Sequence, residues 1–218
     1  MGVSMQKNII TSSFCILSLI FLPGCWRAVD WAKSNFYQGT CIEQCIQVDQ
    51  YIKSVRVYDL LSVRATFDAL WLSDAVRTAY VDLHTMRYGK SDAERDALVR
   101  SQLAENNQYI SFFILSSYEV QLIGDNLEWG VFLRIHDHNG LITTLTPVEF
   151  KEIDLVPEYR AFFGKICNQF KVVYLVRFSV CNKEGRSLFA AGVHKMALYF
   201  RSMNKEVQLV WQLEGECV

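Results

Sequence analysis

Residues 61–71, Leu61-Ser62-Val63-Arg64-Ala65-Thr66-Phe67-Asp68-Ala69-Leu70-Trp71, place an apolar side chain at every odd position, and the residues that follow break that rhythm. Leu61, Val63, Ala65, Phe67, Ala69 and Trp71 share one face of an extended chain. Ser62, Arg64, Thr66 and Asp68 share the other, which is the period-two signature of a long, half-buried strand. From Ser73 the period lengthens to about 3.6. Val76, Ala79, Tyr80, Leu83 and Met86 recur at helical spacing behind a serine N-cap, with Asp74 in the first turn. Gly89 stops this helix, and Ser91-Asp92-Ala93-Glu94 is a capping box that starts another, with Ala93, Ala97, Leu98, Val99 and Leu103 as its apolar residues. The pattern predicts a two-helix hairpin over about residues 73–106, inserted between strands.

Downstream of the hairpin the signals are strand and turn. Tyr109 to Tyr118 is an apolar run, and Trp129, Val131, Leu133 and Ile135 alternate up to the turn Asp137-His138-Asn139-Gly140, whose Asn-Gly favours a tight hairpin. A return strand runs from Leu141 towards Phe150, with Pro147 marking an edge or break. Glu158 to Phe163, after Pro157, reads as a short helix. Phe170, Val172, Tyr174, Val176, Phe178 and Val180 alternate cleanly, a turn follows at Asn182 to Gly185, and Met196 to Phe200 with Val207 to Leu213 form a closing hairpin. The reading is a mainly β, α+β fold: an antiparallel β-sandwich of about seven strands with the helical insertion. Phe67, Trp71, Leu83, Val176 and Trp211 are expected in its core.

Upstream, Trp26 to Asn35 and Gln38 to Gln50 carry little periodicity and read as a lead-in. Before them stands a different kind of signal. Lys7 supplies a basic start, Ile9 to Leu22 are an apolar run too short to span a bilayer comfortably, and Leu22-Pro23-Gly24-Cys25 closes it. This stretch resembles a bacterial lipoprotein signal peptide ending in a lipobox, with Pro23 a departure from the usual small residue. The resemblance implies that Cys25 is the lipidated residue: a diacylglycerol on its thiol, cleavage just before it, and acylation of the new amino group. Trp26 stands where an aspartate would mark inner-membrane retention, so the same resemblance implies the outer membrane in a host that has one. The expected organisation is a signal peptide over residues 1–24, an anchor and lead-in over 25–50, and the sandwich domain over 51–218.

Composition narrows the function classes. The 22 basic and 23 acidic residues leave a formal net charge of -1, which offers no field to recruit nucleic acid. Of the cysteines beyond the anchor, Cys41, Cys45, Cys167, Cys181 and Cys217 cannot all pair with one another, and the spacing of Cys41 and Cys45 identifies neither a disulfide nor a metal site. No cofactor is expected.

The order of elements resembles a poorly characterised group of bacterial envelope lipoproteins. The likeness lies in the Trp31 to Gly39 lead-in, the Arg64-Ala65-Thr66-Phe67 strand, the Leu72-Ser73-Asp74-Ala75-Val76-Arg77-Thr78-Ala79 helix start and the closing Val207 to Leu213 strand. The resemblance implies an envelope location and brings no activity with it.

Motifs that could carry chemistry are sparse. Gly89-Lys90-Ser91 imitates the end of a phosphate-binding loop, but His84 stands where the leading glycine belongs, so no nucleotide is expected. His136 and His138, two apart on an extended chain, could face one metal, yet sequence shows no third ligand and the pair reads as a solvated hairpin tip. Arg64, Arg77, Arg134, Arg177 and Arg201 lie in or beside apolar elements, and some of them are expected to pair with Asp68, Asp74 or Asp82 as a salt-bridged surface; a carboxylate-binding cleft is the sharper reading. The resulting expectation is a lipid-anchored, non-enzymatic binding, assembly or structural component with a membrane and an envelope protein as partners. The alternative is an envelope hydrolase whose site assembles only in three dimensions, with Asp68, Asp74 or His136 among its members. A concave pocket with convergent polar groups would favour the enzyme.

Overall fold

The computed structural model describes residues 48–117, 119–124, 128–181, 187–188 and 192–213. Cys25, the signal stretch, the lead-in, Cys41, Cys45, Cys217 and the Asn182 to Gly185 turn lie outside them. The described elements are, in order, β1 (Ile52–Asp59), β2 (Ser62–Trp71), α1 (Asp74–Tyr88), α2 (Asp92–Asn106), β3 (Tyr109–Ser117), β4 (Gly130–Asp137), β5 (Ile142–Leu145), β6 (Glu149–Glu152), α3 (Pro157–Phe163), β7 (Lys171–Ser179), β8 (Val193–Arg201) and β9 (Glu206–Gln212). Sheet A has the order β1-β2-β3-β7-β6 and sheet B the order β5-β4-β8-β9, with every pairing antiparallel. The fold is the expected α+β antiparallel sandwich with an inserted helical hairpin, built from nine strands rather than seven.

Both extra strands have a physical origin. β1 carries Lys53, Ser54 and Arg56 among its apolar residues and buries only Val57 fully, as an edge strand can, so its period is faint. Its presence also changes the start of β2: Leu60 and Leu61 form the turn that joins the two strands and are 95% and 101% exposed instead of facing the core. Leu60 takes a left-handed φ of 52°, the only non-glycine to do so among the described residues. The other addition comes from Pro147. The single return strand expected over Leu141 to Phe150 is cut there, β5 pairing with β4 in sheet B and β6 with β7 in sheet A, so the chain changes sheets where proline removes a ladder donor.

Two cores result. Between the sheets, Phe67, Phe112, Val176 and Phe178 of sheet A meet Leu133, Leu198, Phe200 and Trp211 of sheet B, and Trp129 joins them. Phe67 stacks on Phe200 with ring centroids 4.1 Å apart and receives the Trp129 ring edge-on at 5.2 Å. On the far side of sheet A, Leu70, Leu72, Phe113, Leu115 and Leu175 pack against Val76 of α1 and Tyr159, Phe162 and Phe163 of α3. Phe67, Val176 and Trp211 are buried as expected, whereas Trp71 and Leu83 are half-buried at the margins.

The helices start and stop where the sequence places them, but α1 turns a different face inward. Ser73 Oγ accepts from the Val76 amide, Gly89 closes the helix with φ 60°, and the Ser91–Glu94 capping box is complete. Lys90 stands between these caps and lies 3.8 Å from Glu94. Met86, assigned to the apolar stripe, is exposed, and Arg77 is buried instead at 2% exposure. The reason is α2: Arg77 Nε donates to Asn106 Oδ1 at 2.6 Å, and its Nη1 donates to Gln102 Oε1 at 3.0 Å and lies 3.1 Å from Glu105. Because α2 has no fully buried residue, its hold depends on such polar contacts and on its cap. Ser91→Ala should therefore cost about 1 kcal/mol, seen as a lower urea midpoint with an unchanged slope. None of the described helices is long and apolar enough to cross a membrane.

Candidate functional site

The polar residues singled out in the sequence fall into separate networks. Asp68, on β2, is buried and pairs with Lys171 Nζ at 3.0 Å, and the same ammonium meets Thr66 Oγ1. Asp74 accepts from Asn106 Nδ2 at 2.6 Å at the start of α1. His136 lies on β4, in the other sheet. The three members named for a hydrolase site thus sit on three elements and in three sets of partners.

The arginine pairings also differ from those expected. Arg64 binds Glu128, Arg77 and Arg177 share Glu105, Arg177 also holds Glu149 at 2.8 Å, and Arg201 binds Glu206. Asp82 pairs with Arg95 instead. The Arg177 pairing follows from long-range placement: α2 lies against β3 and delivers Glu105 to β7, a meeting of residues 72 apart in sequence. The hydrogen bond from Lys151, followed by the Arg177 contact, holds the Glu149 carboxyl below the usual range. Beneath α1, Glu158 is buried at 2% exposure, 3.2 Å from Arg87 and 3.5 Å from His84 Nδ1. Tyr80 and Tyr159 stack beside it at 4.5 Å, and burial holds the Tyr159 phenol above its ordinary range. Cys167 and Cys181 are free thiols.

A hollow of about 290 Å³ opens at the end of the sandwich where β1 begins, lined by Tyr51, Lys53, Trp71, Trp211 and Gln212 among others. Among the described residues its lining contains no carboxylate and no imidazole to serve as acid or base.

The surface with the densest functional chemistry is the outer face of sheet B. Val131, Leu133 and Ile135 point into the core between the sheets, so Phe132, Arg134 and His136 project outward from β4. Opposite them on β8, Tyr199 pairs with Phe132 and Lys195 with His136. The Phe132 and Tyr199 rings stack at 5.0 Å, the Arg134 guanidinium lies 4.6 Å from the Tyr199 centroid and 5.4 Å from that of Phe132, and Arg201 covers Phe132 at 4.9 Å. Such guanidinium-on-ring contacts position the cation without neutralising it. Neither Arg134 nor Lys195 has a carboxylate partner among the described residues. The three described helices pack on the sheet A side, and none of them covers this face of sheet B.

The histidines read as a hairpin tip are part of the same face. His194, 56 residues after His138 in the chain, lies where the β4–β8 register shifts and brings its ring 6.3 Å from that of His136 and 5.3 Å from that of His138. Asp137 is turned away from them and inward, its Oδ1 accepting the Asn139 and Leu141 amides at 2.9 and 2.8 Å to set the Asn-Gly turn. Gly192 gives the His138 ring its seat, since a Cβ there would fall 2.9 Å from Cδ2. Burial first, then the positive charges of Lys195, His194 and Arg134, hold the His136 imidazole below its ordinary range.

Comparison of the chain with protein-family models, curated proteins and solved structures found no match.

Proposed function

We propose that this chain is a cell-envelope lipoprotein, held to a membrane by acyl chains on Cys25, whose sandwich domain is a non-enzymatic binding component. The outer face of sheet B is its binding surface. The observation that carries this reading is the pair of cations, Arg134 and Lys195, with no carboxylate partner among the described residues, set among Phe132, Tyr199 and three imidazoles on the sheet face that the described helices do not cover. Oriented cations and amphipathic rings are the side chains that dominate protein interfaces when a partner desolvates them. The hydrolase alternative draws no comparable support: Asp68, Asp74 and His136 are apart, and the described lining of the hollow beside Trp71 includes no acid–base pair.

Partner capture tests the binding face. After crosslinking in intact cells and solubilisation of the membranes, the wild-type chain should retain a defined partner, and Arg134→Glu should reduce its recovery by about tenfold or more. Equal recovery by the variant, with its thermal unfolding unchanged, would remove this face from the reading.

A further inference from the structure

We propose that His136, His138, His194 and Lys195 form an oxyanion site that takes a phosphate group at one corner of the outer face of sheet B. The inference rests on the reading of that face as the binding surface and names the ligand chemistry at one part of it.

Three of the chain's four histidines meet here, although they come from a strand, a turn and a register shift in another strand. Two of their ring nitrogens, His136 Nε2 and His194 Nδ1, are buried with no hydrogen-bond partner. A buried polar atom left unpaired is destabilising by an amount comparable to a lost hydrogen bond, so the corner contains hydrogen-bonding capacity that no described residue uses. Among the described residues, the groups whose charge acts on His136 are Arg134 from β4 and His194 and Lys195 from β8, and no carboxylate is among them. Ile142, opposite His136 on β5, and Gln212, opposite Lys195 on β9, add no charge, and the Asp137 carboxylate is engaged by the turn amides.

A cluster of cations and imidazoles that, among the described residues, includes no carboxylate is suited to an anion with several acceptor oxygens. A phosphate oxygen can take one bond from each neighbour, and its charge relieves their mutual repulsion. A divalent metal fits less well. Among the described residues no three His, Cys, Asp or Glu side chains are gathered as a metal-binding group, and Lys195 and Arg134 oppose a second positive ion. The phosphate could belong to a lipid headgroup or to a soluble phosphate ester.

Inorganic phosphate, titrated into the full chain in neutral detergent, should produce saturable shifts of the His136 and His194 imidazole resonances. Affinity should fall about tenfold or more in Lys195→Ala and stay unchanged in Lys151→Ala on sheet A. It should tighten as the pH falls through the ordinary imidazole range, because a bound anion favours the protonated His136 ring that the free corner disfavours. A second arm separates the two sources. If a phosphatidylglycerol-containing vesicle retains Cys25→Ala better than Cys25→Ala/Lys195→Ala, while phosphatidylcholine vesicles retain both equally, a lipid headgroup is assigned. Equal retention on both, with the phosphate shifts intact, assigns a soluble phosphate ester. Absence of saturable shifts, identical shifts in Lys195→Ala, or zinc moving these resonances where phosphate does not would overturn the site. Arg134-dependent partner capture is read separately, so its failure and the failure of the phosphate site are distinguishable.

Discussion

Phe67→Ala is expected to lower folding stability by about 3–5 kcal/mol, the range found when a fully buried aromatic side chain is truncated. Phe67 is 0% exposed, stacks on Phe200 across the sandwich and takes the edge of Trp129. Truncation would therefore lose transfer energy, leave a cavity between two sheets whose strands cannot collapse independently, and remove two ring contacts worth roughly 0.5–1.5 kcal/mol each beyond their area. Native domains are typically stable by only about 5–15 kcal/mol, so the variant's folded state would be marginal. Phe67→Leu keeps most of the volume and should cost less than about half as much. Urea unfolding of the three proteins decides it. A loss below about 1 kcal/mol for Phe67→Ala would mean that sheets A and B do not close over this ring.

Phe67 also shows what kind of structure a sequence discloses. Strict alternation around it, and again from Val172 to Val180, marks strands because one face must be apolar wherever a sheet covers a core. The caps at Ser73, Gly89 and Ser91 are equally legible because each is satisfied within a few residues. β1 is not legible, since an edge strand with Lys53 and Arg56 needs little apolar face. Nor is the change of sheets at Pro147, where proline announces a break without saying which neighbours lie on either side.

The candidate site was less legible for the same reason. His136 and His138 are visible as a pair, but the third imidazole arrives through the pairing of β4 with β8, and register is a property of two strands that neither strand encodes alone. Asp68 with Lys171 and Glu105 with Arg177 are likewise contacts between residues far apart in the chain. Local spacing could list the charges but could not match them, which is why Arg77 drew an expected partnership with aspartates and found Asn106, Gln102 and Glu105.

Cys25→Ala should have the largest effect on the protein in the cell: loss of its lipid anchor together with failure of processing. On the proposed reading the thiol receives the diacylglycerol, and the modified cysteine is also the cleavage point, so one substitution removes both and leaves the precursor unprocessed or cut elsewhere. Each methylene buried in a bilayer contributes about 0.8 kcal/mol; one acyl chain anchors marginally, and the two or three proposed on Cys25 would hold the domain firmly. The wild-type protein should accordingly partition into detergent and remain with membranes through a high-salt wash. With 22 basic against 23 acidic residues, salt has little overall attraction to an anionic surface to screen, and a phosphate site at Lys195 would supply only one local contact. Trp26 following the cysteine directs the proposed anchor to the outer membrane of a host that has one, which fractionation of the two membranes would test. Mass spectrometry of the mature amino terminus gives the most direct reading: a start at acylated Cys25 supports the anchor, whereas an unmodified Cys25 within an intact precursor, or a start at any other residue, would refute it. The sandwich itself should melt at the same temperature in wild type and Cys25→Ala, because the described residues of both cores begin at Val48, far along the chain from Cys25.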